Sequence, residues 1–323
     1  MTEPLLAVEN LHLRFHTDGA PVQALRGVSL SAHAGEVIGI VGESGCGKST
    51  LVTAMIGLMG VNAEVTGGAV RCRGTDMLAL PESARRKLRG QEIAVVFQDP
   101  MTAFNPVIIL GDQLVDFQHH RTGLSRAQKR TQAMAMLARV GIADPSLTMG
   151  RFVHEMSGGM RQRAAIAAAL LMTPSVLIAD EPTTALDVTM EAQIIHLLRE
   201  LRQEYQGAII VVTHHLGVIG ELCDRVYVMY AGEVVEEGLV DDIYHAPRHP
   251  YTRALIECDP AHIEGQARVL PTIPGRVPDL AAPPDGCAFA DRCTLVTPRC
   301  RTDPPPYVRV SQTQAARCHE VQP

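Results

Sequence analysis

No tryptophan occurs in the 323 residues, and phenylalanine and tyrosine appear only six times each. So sparse an aromatic set leaves few platforms for stacked bases, which argues against a single-stranded nucleic-acid binder. A basic excess is also missing. Lys and Arg number 29 against 35 Asp and Glu, for a formal net charge of −6. The chain therefore presents no broad field for a polyanion, although a local basic site fits within that total. Long apolar runs are absent as well: the longest, AAIAAALLM at 164–172, falls far short of the roughly 18 residues a spanning helix requires. The N-terminal MTEPLLAVEN lacks the basic-then-apolar order of an export signal. These absences together point to a cytosolic chain, or one held at a membrane only through a protein partner. No repeat with a period of about 20–50 residues is visible.

What is present is material for a large core, since 46% of the residues are hydrophobic. The length favours one large domain with an appended module, or two domains. Apolar runs of strand length recur as LLAVENLHLRF, EVIGIVG (36–42), IAVVFQ (93–98), VLIADE (176–181) and AIIVVTH (208–214). The last three end in polar residues at their C-terminal edges, where a parallel α/β sheet places its chemistry. STLVTAMIGLM, RAQKRTQAMAMLARVGI and GGMRQRAAIAAALLM carry helical spacing, and the stretch between Gln98 and Pro174 is long enough for a helical subdomain. From about residue 245 the composition shifts toward proline.

Chemistry concentrates first in GESGCGKST. Gly42, Gly47, Lys48 and Ser49 satisfy G-x-x-x-x-G-K-S between a predicted strand and a predicted helix. Phosphate oxygens need several converging backbone N–H donors, so the loop must be poor in bulky side chains. The following helix adds its positive N-terminus. Lys48 reaches the β and γ phosphates, and Ser49 offers a hydroxyl to Mg²⁺. The run VLIADEP then delivers Asp180, a hard oxygen ligand for Mg²⁺, beside Glu181, placed to polarise an attacking water. Gln98 and His214 end their strands in the same way and are candidates to touch the γ phosphate or the water. Ser157, Gly158 and Gly159, at the start of a further helix, form a second set of donors of phosphate size, so one chain carries two half-sites.

These stretches resemble the ATP-binding subunits of ABC transporters, more narrowly those of bacterial dipeptide/oligopeptide importers. The superfamily likeness rests on GESGCGKST, on FQDPMTAFNP with Gln98, and on MSGGMRQR, LIADEPTTALD and VVTHH. The importer likeness rests on HAPRHPYTRAL and PPDGCAFADRC. The resemblance implies an α/β P-loop NTPase fold of the ABC cassette type. That fold has a RecA-like core, an antiparallel β subdomain and a helical subdomain at about 100–172, together spanning residues 1–250. A small Cys-rich module over 251–323 would follow. Residues Gly42, Ser44, Gly45, Cys46, Gly47, Lys48, Ser49 and Thr50 would hold ATP, with Phe15 stacking on adenine. Ser49, Gln98 and Asp180 would serve Mg²⁺, and Glu181, His214 and Gln98 the hydrolysis. Such subunits pair head to tail, so that Ser157, Gly158 and Gly159 close over the partner's ATP and Asp187 lies between the sites. A heterodimer with a second ATPase subunit is expected, with two membrane-spanning permease subunits, an extracytoplasmic solute-binding protein and no nucleic acid. The place is the cytoplasmic face of the bacterial inner membrane, and the work is uptake of di- or oligopeptides. Nickel or another small solute is the alternative cargo. A non-transport ABC ATPase would instead show tandem cassettes or coiled-coil insertions, which are not visible.

Eight cysteines in a cytosolic chain are not a disulfide framework. Cys287, Cys293, Cys300 and Cys318 crowd the tail without the C-x-x-C spacing of zinc ribbons, so iron–sulfur, zinc and unliganded thiols all stay open on spacing alone. The importer resemblance implies that these four hold a 4Fe–4S cluster that staples a proline-rich loop. Cys72, Cys223 and Cys258 fall outside that group. Cys46 reads as a small buried side chain or, beside a helix N-terminus, as a reactive thiol.

Overall fold

The computed structural model describes residues 3–184, 186–259 and 271–322. Among these, twelve strands run in chain order. They are β1 (Leu6–Phe15), β2 (Val22–Ala32), β3 (Val37–Val41), β4 (Ala63–Cys72), β5 (Thr75–Asp76), β6 (Ile93–Val96), β7 (Val176–Asp180), β8 (Ala208–Thr213), β9 (Arg225–Tyr230), β10 (Glu233–Leu239), β11 (Tyr307–Arg309) and β12 (Ala315–Arg317). The chain divides into two compact units. One contains residues 1–32, 36–79 and 212–323; the other contains 33–35 and 80–211.

In the first unit, β2, β1, β4 and β5 form an antiparallel sheet in that order. Its β1 alternates buried Leu6, Val8, Leu11 and Leu13 with more exposed neighbours, the pattern of a sheet with one face on a core. A second run of strands follows the order β11–β12–β10–β9–β3, with β3 parallel to β9 and the other pairs antiparallel. All five residues of β3 are buried, as its unbroken VIGIV requires of a strand covered on both faces. The helix Lys48–Met55 follows β3 directly. It is shorter than the apolar periodicity suggests, because Gly57 takes a positive φ of 64° just beyond the end.

The tail corrects the expectation of a separate Cys-rich module. Residues 271–322 belong to the first unit, and β12 pairs with β10 through Glu236–Ala316 and Glu237–Ala315. The short strands β11 and β12 bury too little to stand alone, and adding to the edge of β10 satisfies their backbone groups.

In the second unit the sheet order is β8–β7–β6, with β6 parallel to β7 and β8 running to the unit's edge. Its helices include Leu110–Phe117, Arg126–Arg139, Gly158–Leu171 and Val188–Glu204. Sequence-local chemistry starts three of them. Ser125 and Gln128 form a reciprocal capping box, Ser157 Oγ accepts from Met160 N, and an Asp187 oxygen accepts from Met190 N at 2.9 Å. No helix among the described residues is long and apolar enough to cross a membrane.

Candidate active site

The phosphate loop lies in the first unit, between the end of β3 and the helix Lys48–Met55. Its glycines are there for space and for backbone conformation. A Cβ on Gly42 would stand 2.2 Å from the Met229 carbonyl oxygen, and one on Gly47 would meet the Ala24 carbonyl oxygen at 2.8 Å. Gly47 also holds a φ of 107°, open essentially to glycine alone. Lys48 is only 6% exposed, and its ammonium donates to the carbonyls of Gly42 at 2.6 Å and Glu43 at 3.2 Å. The cation is thus folded against the loop backbone. Ser44, Gly45 and Ser49 are exposed, while Cys46 is buried at 1%. Burial pushes the Cys46 thiol up, against the lowering influence of Lys48, which favours the small-side-chain reading over the reactive thiol.

His214, just past the last residue of β8, belongs to the first unit, with its ring centroid 4.0 Å from that of His215. His215 begins the helix Leu216–Leu222, its backbone N–H donating to Thr213 Oγ1 at 3.0 Å. Phe15 is the last residue of β1, paired with Val22 and Ala63.

The second unit carries the acidic pair. Asp180 ends β7 at 8% exposure, and Glu181 follows with a φ of +46°. A non-glycine residue in that region is strained by roughly 1–3 kcal/mol, which a fold retains where the side chain must be aimed. The Glu181 carboxylate accepts from Thr184 Oγ1 at 2.7 Å, and Gln98 Nε2 lies 3.5 Å from the same oxygen. Gln98 and Glu181, distant in sequence, are therefore brought together. Thr184 joins them as a residue the sequence analysis did not single out. Ser157 and Gly158 are exposed, and Gly159 is buried against the Met190 side chain.

The four tail cysteines, with His249, Phe289 and Leu295, line one small cavity in the first unit. Burial raises the thiol of Cys287 to about 11 and those of Cys293 and Cys318 above their ordinary value. Leu295 N donates to Cys293 Sγ at 3.3 Å, and Thr297 Oγ1 lies 3.2 Å from Cys300 Sγ. Yet among the described residues no group of three or more His, Cys, Asp or Glu stands in a metal-holding arrangement. The expected cluster site is accordingly not seen as such. The four thiols nonetheless share the one cavity, with the sulfurs of Cys293 and Cys300 engaged in hydrogen bonds to neighbouring protein groups.

A glycine loop of the form G-x-x-x-x-G-K-S between a buried strand and a helix, with an Asp–Glu pair at the end of another strand, has the form of a P-loop NTPase. Comparison with known proteins narrows this. Residues 25–184 match the ABC transporter family, and residues 235–300 match the oligopeptide/dipeptide transporter C-terminal region. The dipeptide transport ATP-binding protein DppD of Bacillus subtilis is 46% identical over 292 residues, 90% of this chain and 87% of that protein. The oligopeptide transport ATP-binding protein OppD of Haemophilus influenzae is 44% identical over 301 residues, 93% of each. Among solved structures, a dimeric ATP-binding cassette in a post-hydrolysis state bound to ADP and Pi superposes with a TM-score of 0.66 at 27% identity, covering 73% of this chain and 98% of the other. The chain belongs to the ABC transporter ATP-binding proteins of the dipeptide/oligopeptide importer type, and it is an ATPase of that class.

Proposed function

We propose that this protein hydrolyses MgATP to drive uptake of di- or oligopeptides, working at the cytoplasmic face of the bacterial inner membrane. The observation that carries the reading is the phosphate loop, whose glycines at 42 and 47 leave no room for a Cβ and whose Lys48 is held on the loop's own carbonyls. The loop amides and Lys48 bind the phosphates. Asp180 and the Ser49 hydroxyl are hard oxygen donors suited to Mg²⁺, with Gln98 beside them in role. Mg²⁺ supplies charge neutralisation at the phosphates. Glu181, aimed by Thr184, orients and polarises the attacking water. Gln98 and His214 contact the water or the γ phosphate, and Phe15 packs on the base.

The cassette works as one half of a head-to-tail pair, preferably with a different ATPase subunit. Ser157, Gly158 and Gly159 cover the partner's nucleotide, and Asp187 lies at the junction. Gly158 supports this reading: among the described residues a Cβ there would meet nothing nearer than Leu186 Cδ2 at 4.0 Å, so packing against them does not demand a glycine. Close approach by an external group gives that position a reason. Two permease subunits and an extracytoplasmic binding protein complete the assembly. The apolar Val107 and Ile108, 78% and 39% exposed just beyond FQDPMTAFNP, offer a contact for a permease. Replacing Ser157 with Arg in every copy should leave MgATP binding intact while abolishing transport-coupled turnover in the purified complex. Normal turnover would remove the shared site from the reading.

A second reading concerns the tail: Cys287, Cys293, Cys300 and Cys318 would ligate a 4Fe–4S cluster that staples this region. It is favoured by the four thiols lining one cavity and weighed against by the absence of a metal-holding arrangement among the described residues. Iron and sulfide analysis of anaerobically purified protein decides it. Stoichiometric zinc, or no metal, ends it.

A further inference from the structure

Glu43 is the second residue of the phosphate loop, and its side chain is held from far along the chain. Its carboxylate receives both prongs of Arg292, with Nη1 to Oε2 at 2.6 Å and Nη2 to Oε1 at 3.0 Å. The Arg292 side chain is 4% exposed and its other donors are also engaged. Nη1 reaches the Tyr230 hydroxyl at 3.2 Å, Nη2 the Ile273 carbonyl at 3.1 Å and Nε the Pro274 carbonyl at 2.9 Å. The backbone N–H of Glu43 donates to the Tyr251 hydroxyl at 2.9 Å, while its carbonyl accepts from Lys48. Tyr251 and Arg292 both come from the C-terminal stretch, and Arg292 directly precedes Cys293 of the four-cysteine cavity.

A carboxylate inside a loop that must receive phosphates repels them unless its charge is balanced. A bidentate guanidinium balances the charge and also fixes the side chain's direction, which a lysine does less well. We propose that Arg292 is a positioning residue of the nucleotide site: by neutralising and anchoring Glu43, it makes the C-terminal region part of what sets affinity for the triphosphate. The wrapping of Arg292 by Ile273 and Pro274 then couples the packing around the tail cavity to the phosphate loop.

This inference rests on MgATP binding at the loop, as proposed above. Isothermal titration of the full-length protein with MgATP, alongside steady-state turnover, compares wild type with Arg292→Met and with Glu43→Gln/Arg292→Met. The single variant is expected to raise the Kd and KM by about tenfold or more, roughly 1.4 kcal/mol, with kcat at saturation retained and the effect larger at low salt. Removing the stranded charge in the double variant should recover most of the affinity. Wild-type affinity in Arg292→Met, or a folded double variant that binds no better than the single one, overturns the proposal. If Arg292→Met does not fold, Arg292→Lys retains the charge but loses the fork. Its Kd should then lie above wild type, and equality overturns the proposal. A wild-type protein that fails to bind MgATP removes the ATP reading and this inference together, whereas normal wild-type binding with insensitive variants removes the inference alone.

Discussion

Acidification should weaken this fold through His249. The ring is 1% exposed, its Nδ1 accepts from Tyr251 N at 3.0 Å, and its backbone N–H donates to Glu236 Oε2 at 2.9 Å. It caps the helix Pro250–Glu257 and lines the cavity of the four cysteines. Burial, reinforced by the charge of Arg253, lowers its pKa from 6.5 to about 3. Between those two values the unfolded chain binds more protons than the folded one. Stability is therefore full above the unfolded pKa and falls as pH drops through the window toward the folded value. From pH 7.5 to 5.0 this single group should cost about 2 kcal/mol of unfolding free energy. Asparagine also accepts a hydrogen bond at a helix cap and does not titrate, so His249→Asn is the matching control. Glu236, a buried carboxyl whose pKa is raised by burial, acts with the opposite sign but is present in both proteins, so it cancels in the difference. Urea unfolding followed by far-ultraviolet circular dichroism at stepped pH reads the effect. Parallel pH profiles for wild type and His249→Asn would refute the reasoning.

Two further outcomes test the nucleotide site. Glu181→Gln keeps the shape of the side chain but loses its basicity, so turnover should drop by ~10²-fold or more while MgATP binding persists, as single-turnover and binding assays will show. Gly47→Ala should impair nucleotide binding and cost about 1–3 kcal/mol of stability, because alanine resists positive φ and its Cβ lies in the way of the Ala24 carbonyl. Titration with MgATP and thermal melting measure both effects, and an unaltered melt would remove the steric argument.

Much of the chemistry could be read from local stretches, because local stretches create it. The strands β3, β6, β7 and β8 follow the apolar runs, and the helix starts at Ser125, Ser157 and Asp187 follow from side chains that cap their own next turn. The C-terminal residues were less legible. HAPRHPYTRAL and PPDGCAFADRC identify a branch of the family by likeness, yet nothing in their spacing tells that Tyr251 and Arg292 grip Glu43. A conspicuous signal did exist: an acidic residue inside a phosphate loop requires a compensating cation, and the search for it had to be global. The tail's strands β11 and β12 were missed for a related reason, since three-residue strands have no periodicity of their own and exist through pairing with β10.

By itself, then, the amino-acid order determined the tight glycine loop proposed to cradle the triphosphate, because its glycines, lysine and following helix are consecutive and act through local backbone geometry. Only the tertiary structure decided what holds that cradle. Arg292 and Glu43 stand 249 residues apart, and a salt bridge across such a separation comes into being only when the whole chain has paid its loop-closure entropy through burial elsewhere.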